Sequence, residues 1–228
     1  MELKDRYNRN LMTLSPEENL QLKNFKICVV GCGGLGGYII ELLGRLGIGS
    51  ITAIDGDVFD VTNLNRQLLS TENSIGKSKA YSARERMKTV NSEVKVIAVD
   101  EFLTDENCNN LIKGHDVVVD ALDNMPARKI LEKYCEELNI PMVHGAIAGW
   151  YGQVCTIMPG DKTLEKIYLS DDEKGDEAEL GNPSFIPSLV ASLQVAEVVK
   201  LLFKKGEVLQ GKLMTIDLLN NEYEIFTI

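Results

Sequence analysis

Charged and amide side chains that could act on a phosphate group recur between residues 55 and 123. They comprise two cations, two carboxylates and two amides, namely Arg66, Lys79, Asp55, Asp123, Asn63 and Gln67. Arginine and lysine can offset the charge that develops on a phosphate under attack, and an aspartate at the end of a strand can hold magnesium. This combination suits a nucleoside triphosphate with a metal ion better than a dinucleotide.

A glycine-rich turn is the element that would position these groups. It follows a buried apolar run at residues 27–30 and has the pattern Gly31-x-Gly33-x-x-Gly36. Glycines there let the backbone turn sharply and approach a phosphate, and the following helix N terminus offers unpaired N–H groups to it. Asp55 lies about 20 residues beyond the glycines, where an acid binds a ribose. The pattern predicts a nucleotide-binding βαβ unit. It does not predict a P-loop, because no Lys-Ser/Thr pair follows the glycines.

The rest of the chain predicts α/β architecture. Further strands are expected at residues 50–54, 94–99, 116–122 and 141–146, and helices at 38–46, 79–90, 104–112 and 128–138, with Thr104 able to cap the third. This alternation predicts a Rossmann-like, mostly parallel sheet with helices on both faces. The sheet should continue into an antiparallel C-terminal part, with strands at 152–158, 212–218 and 222–228 and an apolar helix at 188–203. The last two strands are expected to form a hairpin around Asn220-Asn221.

A single domain over residues 1–228 accounts for the whole sequence. Its predicted parts are an N-terminal arm at 1–24, a nucleotide-binding core at 25–158, a flexible crossover loop at 159–187, and a helix and hairpin at 188–228. The arm contains Ser15-Pro16 followed by Glu18, a helix start of the capping-box type. The predicted loop is acidic and has no clear hydrophobic period, which is typical of a functional or disordered segment.

Composition and charge narrow the classes of partner and location. The net charge of −10 disfavours nucleic acid, because a strongly acidic chain binds phosphate backbones poorly. The start of the chain lacks an apolar signal core, and Gln194, Glu197 and Lys200 interrupt the most apolar late stretch. We therefore expect a cytoplasmic protein that does not span a membrane. The five cysteines form no pair at zinc-like spacing, and their odd number argues against a disulfide framework.

Taken together, the motifs resemble the MoeB/ThiF/HesA family, the prokaryotic relatives of ubiquitin-activating enzymes. In chain order they are Arg6-Tyr7-Asn8-Arg9, Gly31-Cys32-Gly33-Gly34-Leu35-Gly36, Asp55-Gly56-Asp57, Asn63-Leu64-Asn65-Arg66-Gln67, Gly76-Lys77-Ser78-Lys79 and Asp123-Asn124. Residues 192–197 also resemble the late helix of that family. The Asn-Leu-x-Arg-Gln element with a later lysine and aspartate is far more specific than the glycines.

The resemblance implies an enzyme that uses magnesium-ATP to adenylate the C-terminal Gly-Gly carboxylate of a small ubiquitin-like sulfur-carrier protein. It implies a catalytic set of Arg9, Arg66, Lys79 and Asp123. It implies nucleotide binding by Gly31, Gly33, Gly34, Gly36, Asp55, Asp57, Thr62, Asn63, Arg66, Gln67, Lys79, Asp123 and Asn124. In this scheme Asp123 holds magnesium, and Arg9 reaches the active site of the partner subunit in a homodimer.

Departures from the family pattern limit the predicted chemistry. The two Cys-x-x-Cys pairs that bind structural zinc in many members are missing, so we expect no zinc. Residues 159–187 contain no cysteine, so the predicted reaction ends at the acyl-adenylate. The alternatives are adenylation of a small-molecule or tRNA-linked carboxylate, as in dehydratase-like members, a nucleotide-loaded binding module without turnover, and an NAD-dependent oxidoreductase. The oxidoreductase is disfavoured because the chain has no Tyr-x-x-x-Lys pair.

Overall fold

One eight-stranded sheet organises the computed structural model, which describes residues 3–168 and 180–228. The strands are β1 Lys26–Val30, β2 Ser50–Ile54, β3 Lys95–Val99, β4 Val117–Asp120, β5 Met142–Ala148, β6 Tyr151–Ile157, β7 Lys212–Asp217 and β8 Glu222–Thr227. Their spatial order is β3-β2-β1-β4-β5-β6-β7-β8. Strands β1 to β5 are parallel, and β6, β7 and β8 continue the sheet in antiparallel pairs.

Helices cover both faces of this sheet, which confirms the predicted fold class. They are α1 Pro16–Gln21, α2 Gly34–Leu46, α3 Lys79–Val90, α4 Cys108–Ile112, α5 Met125–Glu137, α6 Thr163–Ile167 and α7 Phe185–Phe203. Ile27 and Val29 of β1 contribute to the core cluster formed with α2, α3 and α7. Cys28 and Val30 contribute to the cluster formed with α4, α5 and α6. A strand between two such layers is buried on both faces, which is why its sequence is continuously apolar.

Three helix starts in the parallel half of the chain differ from the predictions. Helix α2 begins at Gly34, so the glycine turn itself forms the first helical turn. Helix α5 begins at Met125 because the Asn124 side chain accepts a hydrogen bond from the backbone N–H of Ala127 at 3.0 Å. Helix α4 is confined to Cys108–Ile112. Thr104 instead closes a turn before it, where its backbone N–H donates to the Asn107 side chain at 2.8 Å.

Helix α7 lies on the sheet as a core helix. It begins at Phe185, three residues before the predicted start, and by length and composition it is apolar enough to cross a membrane. Two of its polar residues, Gln194 and Glu197, are nevertheless buried against the sheet. Gln194 donates to the carbonyl of Asp120 at 2.8 Å, and Glu197 accepts from the hydroxyl of Thr156 at 2.6 Å. These bonds satisfy polar groups that hydrocarbon would leave unpaired.

The remaining elements follow the sequence pattern closely. The hairpin of β7 and β8 is confirmed, with Asn221 in the left-handed region at φ 58°. The capping box is confirmed, since Ser15 and Glu18 exchange hydrogen bonds between backbone and side chain. The crossover segment is not wholly irregular, because α6 lies within it, and its residues 169–179 lie outside the described part of the chain.

Candidate active site

A cleft opens where β1, β2 and β4 end, which is the usual ligand site of an open α/β sheet. Its volume is about 890 Å³, counting the space open to solvent. Most of the predicted nucleotide-binding residues line it, namely Gly31, Gly33, Gly34, Asp55, Asp57, Arg66, Gln67, Lys79, Asp123 and Asn124. The fold therefore gathers into one place residues that are up to about 90 positions apart in the chain.

The glycine turn forms the floor of this cleft. Gly31 has a φ of 94°, and a Cβ atom there would lie 2.4 Å from the carbonyl oxygen of Ala121. Only glycine combines this backbone conformation with so close an approach. Gly36 does not line the cleft. A Cβ atom on it would lie 1.8 Å from the carbonyl oxygen of Gly31, so it serves close packing of the helix on the turn.

Asp55 is held at the end of β2 with its carboxylate turned toward the glycine turn. It accepts hydrogen bonds from the backbone N–H groups of Cys32 at 2.7 Å and Asp57 at 2.8 Å. Burial raises the pKa of Asp55 above its ordinary value, although these two bonds act in the opposite direction. A buried carboxylate in this position can accept hydrogen bonds from ribose hydroxyls.

Two cations enter the cleft from the following elements. Lys79 starts α3, and its ammonium group lies 3.0 Å from a carboxylate oxygen of Asp57. Arg66 lies in the loop before α3, and its guanidinium donates to the carbonyl of Thr62 and to the side chain of Asn65, both at 3.0 Å. Both positive groups are thus held in defined positions, in a cleft that can receive a triphosphate.

Thr62 and Asn63 lie outside the cleft and organise the loop that carries Arg66. The hydroxyl and the backbone N–H of Thr62 both donate to the Asp60 carboxylate, at 2.7 Å and 2.9 Å. The Asn63 side chain accepts from the backbone N–H of Asp60 at 3.0 Å. In this structure their side chains close a short 3-10 turn, and their predicted contact with nucleotide stays a prediction.

Asp123 and Asn124 follow β4 and face the cleft. Asp123 is exposed there, and its carboxylate accepts from the Asn124 amide at 3.4 Å. The other end of the Asn124 amide caps α5, so its side chain is partly committed to the helix. An exposed carboxylate in this position is of the kind that binds magnesium together with substrate phosphates. Among the described residues, no group of three or more His, Cys, Asp or Glu side chains is placed to hold a metal ion.

Arg9 lies near the C terminus of α2, the opposite end of that helix from this cleft. Its neighbour Asn10 donates to the carbonyl of Leu46 at the C terminus of α2, whereas Gly34 in the cleft starts that helix. Helix α2 has 13 residues, which corresponds to a length of about 20 Å. The Arg9 of one chain therefore does not reach the cleft of the same chain.

Arg128 is a cleft residue that the sequence analysis did not single out. It lies on the first turns of α5, is only 7% exposed, and donates to the carbonyl of Leu122 at 2.6 Å. Its guanidinium also donates to the hydroxyl of Tyr168 at 3.3 Å, and its Nε atom lies 3.7 Å from the Asp120 carboxylate. A sequence signal for it did exist. Arg128 stands four residues after Asn124, and that spacing places a helical side chain on the same face.

A buried network continues from Arg128 into the sheet. His144 contacts Asp120 at 2.6 Å through Nδ1 and the hydroxyl of Tyr168 at 3.1 Å through Nε2. Burial lowers the pKa of His144, against the opposing influence of Asp120.

Six further residues line the cleft and were not among the residues predicted from the sequence. They are Glu101, Phe102, Leu103, Ala146, Ile147 and Asn182.

All five cysteines of the chain are buried. Burial raises the pKa of each thiol: Cys28, Cys32, Cys108, Cys135 and Cys155. A buried thiol with a raised pKa is a poor nucleophile, because the thiolate is the reactive form.

The fold and this cleft define a class, the Rossmann-like nucleotide-binding proteins whose site lies at the carboxyl ends of parallel strands. The sequence matches the ThiF family over residues 7–228, and the chain belongs to that family. The resemblance inferred from the motifs is thereby confirmed.

Relatives with similar sequences carry informative names. The chain is 35% identical over 225 residues to the SAMP-activating enzyme E1 of Haloferax volcanii, covering 96% of this chain and 83% of that protein. It is 33% identical over 235 residues to the sulfur carrier protein adenylyltransferase of Thermus thermophilus, covering 98% of this chain and 87% of that one. A crystal structure of E. coli MccB with ATP has a TM-score of 0.83 at 24% identity, covering 99% of this chain and 71% of MccB, and shows the shared fold.

Proposed function

We propose that this protein is an ATP-dependent adenylyltransferase that activates the C-terminal carboxylate of a small ubiquitin-like sulfur-carrier protein. One observation carries the proposal: a single cleft joins the glycine turn, Asp55, Arg66, Lys79 and Asp123. These are ribose-binding, phosphate-neutralising and metal-binding groups in a family whose relatives are named adenylyltransferases.

The reaction needs positioning and charge neutralisation more than proton transfer. A carboxylate oxygen of the carrier attacks the α-phosphorus of ATP and forms an acyl–oxygen–phosphorus bond. The bond between the α-phosphorus and the bridging oxygen breaks, and pyrophosphate leaves with the electron pair. The attacking carboxylate is already ionised at neutral pH, so no general base is required.

The glycine turn, Asp55, Arg66 and Lys79 each have a proposed task in this reaction. The backbone around Gly34, at the N terminus of α2, faces the phosphates. Asp55 accepts the ribose hydroxyls, and Arg66 and Lys79 neutralise charge on the phosphates as the pentavalent centre forms. The orientation of Arg66 depends on the turn that Thr62 and Asn63 close.

Magnesium fits beside Asp123. An exposed carboxylate at the cleft, next to expected phosphate oxygens, matches the way magnesium binds through one or two carboxylates plus substrate phosphates. Asp123 would hold the ion, which when bound would supply positive charge to the phosphates. The lack of structural zinc stays a prediction, which metal analysis of the purified protein tests.

A homodimer would bring Arg9 to a cleft. Arg9 is exposed, and its segment is fixed at the end of α2 that lies away from its own cleft, where Asn91 donates to the hydroxyl of Tyr7 at 2.8 Å. An exposed arginine on an anchored segment can enter the cleft of a second copy. There its guanidinium would add to the positive charge around the triphosphate.

Exchange of labelled pyrophosphate into ATP tests the proposed function. Purified protein with magnesium-ATP and small carriers ending in Gly-Gly should catalyse carrier-dependent exchange. An Asp123→Ala variant should lose exchange, because the proposed magnesium-binding carboxylate is gone. It should still fold, because Asp123 is exposed at the cleft and its removal leaves the core intact. A carrier truncated by its last glycine is the matched control and should not support exchange.

The alternatives give different results in the same assays. Tight binding of NAD without exchange by any Gly-Gly carrier would overturn the adenylation proposal in favour of an oxidoreductase. Exchange driven by a small carboxylate or a tRNA-linked carboxylate, and not by any carrier protein, would favour the dehydratase-like alternative.

A further inference from the structure

Asn182 occupies one end of the cleft with an unpaired side-chain oxygen. Its Oδ1 atom is buried and has no hydrogen-bond partner among the residues that the structure describes. A buried amide oxygen without a partner is unfavourable, so such atoms are normally paired in the working state. An orphaned acceptor that lines a ligand cleft therefore points to a donor on the ligand.

The backbone around Asn182 is fixed in place. Its carbonyl oxygen accepts from the Asn65 side chain at 3.0 Å, in the loop that carries Arg66. The carbonyl of Gly181 accepts from the backbone N–H of Gly149 at 2.7 Å, just after β5. Two bonds on opposite sides thus hold Asn182 between the phosphate-facing loop and the end of β5.

The position of Asn182 along the cleft identifies the donor. The cleft runs from Phe102, which follows β3, to Ile147 in β5, a span of four strand spacings or about 19 Å. Asp55 marks the ribose end on the β2 side, and the glycine turn after β1 marks the phosphates. Asn182 lies at the β5 end, beyond the phosphates. The donors of a nucleotide are its base and ribose, at the other end, and its phosphates carry no donor. A donor on the second substrate fits this position.

A second cleft leads to this end of the first. Its volume is about 1270 Å³ with the space open to solvent, and the two clefts share Asp123, Arg128, Ala146 and Ile147. It extends over β6 and β7, past Gly152 and Thr215. An extended peptide that follows it would place its terminal carboxylate near the phosphates and its last N–H groups near Asn182.

We infer that Asn182 is a specificity residue that accepts a hydrogen bond from the last peptide N–H of the carboxylate substrate. This inference rests on the proposed adenylation and narrows its substrate to a carboxylate at the end of a polypeptide. A small carboxylate without an adjacent N–H would leave the buried oxygen unpaired, which is a strong source of discrimination.

An amide-to-ester substitution tests the hydrogen bond directly. A carrier that supports pyrophosphate exchange is prepared by semisynthesis in two forms, one ending in Gly-Gly and one ending in glycyl-glycolate, which lacks the last N–H. With the unchanged enzyme, KM for the ester carrier should be about tenfold higher, the usual effect of losing one buried hydrogen bond.

The enzyme variant should reproduce this loss without adding to it. Asn182→Ala should raise KM for the Gly-Gly carrier about tenfold and should show no further increase with the ester carrier, because both changes remove the same bond. KM for ATP should stay unchanged. Asn110→Ala, an asparagine exposed on α4, is the matched control and should behave as the unchanged enzyme.

The outcomes separate the two proposals. No exchange by the unchanged enzyme with any carrier overturns the proposed function and this inference with it. Exchange in which Asn182→Ala raises KM for ATP, has no effect, or penalises amide and ester carriers equally overturns the inference alone. An equal KM for the two carriers on the unchanged enzyme would overturn the inference even if the variant is poorly folded.

Discussion

The ammonium group of Lys79 lies 3.0 Å from the carboxylate of Asp57, and the backbone N–H of Lys79 also donates to the Asp57 carbonyl at 3.0 Å. These contacts tie the start of α3 to the loop after β2. The lysine side chain is 10% exposed and the aspartate side chain is 56% exposed. A cation is thus held at the cleft before any nucleotide binds, which is the preorganisation that lowers the cost of stabilising a charged transition state.

Replacing Lys79 should impair catalysis without unfolding the protein. We expect Lys79→Met to lower kcat for pyrophosphate exchange by about 10²–10³-fold, the usual effect of removing one electrostatic stabiliser. The free energy of unfolding should change by less than about 1 kcal/mol, because Asp57 is left facing solvent. Initial-rate assays of pyrophosphate exchange measure kcat, and urea titrations measure the free energy of unfolding. Lys77→Met, an exposed lysine nearby, is the control, and an equal loss in both variants would argue against a specific role for Lys79.

Arg9 and Asp123 should complement each other across a dimer. Arg9→Ala and Asp123→Ala chains should each be inactive in exchange. After mixing and re-equilibration, about a quarter of the active sites would combine an intact Asp123 with an intact Arg9 from the partner. Recovery of exchange in the mixture, measured against each variant alone, checks the prediction. A mixture as inactive as its components would show that Arg9 does not act in trans.

Acidification should destabilise the protein through His144. Burial holds the pKa of His144 below its ordinary value of about 6.5, so below that pH the unfolded chain binds a proton that the folded chain does not. The free energy of unfolding should fall by up to about 1.4 kcal/mol per pH unit for this group, until the folded-state pKa is reached.

The variant His144→Asn isolates this contribution. Its amide can still donate to Asp120, but it does not titrate, so its stability should decline less steeply between pH 7 and pH 5. A slope will remain, because burial also lowers the pKa of His115. Urea titrations at several pH values measure both slopes. If the free energy of unfolding falls equally with pH in both proteins, His144 does not make the expected contribution.

The cysteines should be unreactive while the protein is folded. All five thiols are buried and burial raises the pKa of each, so few thiolates form near neutral pH. Reaction with a disulfide reagent at pH 8 should be slow in buffer and complete after unfolding. Pyrophosphate exchange should survive prolonged treatment with iodoacetamide. Rapid modification of any thiol in the folded protein would contradict this prediction.

The sequence by itself determined the sheet and most of the cleft. Gly31, Asp55 and Lys79 line the cleft because each stands beside an element with a strong local pattern. A continuous apolar run, a glycine turn and a strand-end aspartate specify their own surroundings through short-range sterics and burial. The antiparallel continuation was also predictable, because the hairpin at Asn220-Asn221 has a local turn signature.

Only the tertiary structure decided which distant residues complete the site. Asn182 carries no distinctive local pattern, and Arg128 has only its spacing from Asn124. Both reach the cleft because α5 and the segment before α7 fold back onto the ends of β4 and β5. Thr62, Asn63 and Gly36 were placed in the cleft by motif, yet their contacts are with their own turn and helix. Side-chain partners across the chain depend on how packed layers meet, and a one-dimensional pattern does not contain that information.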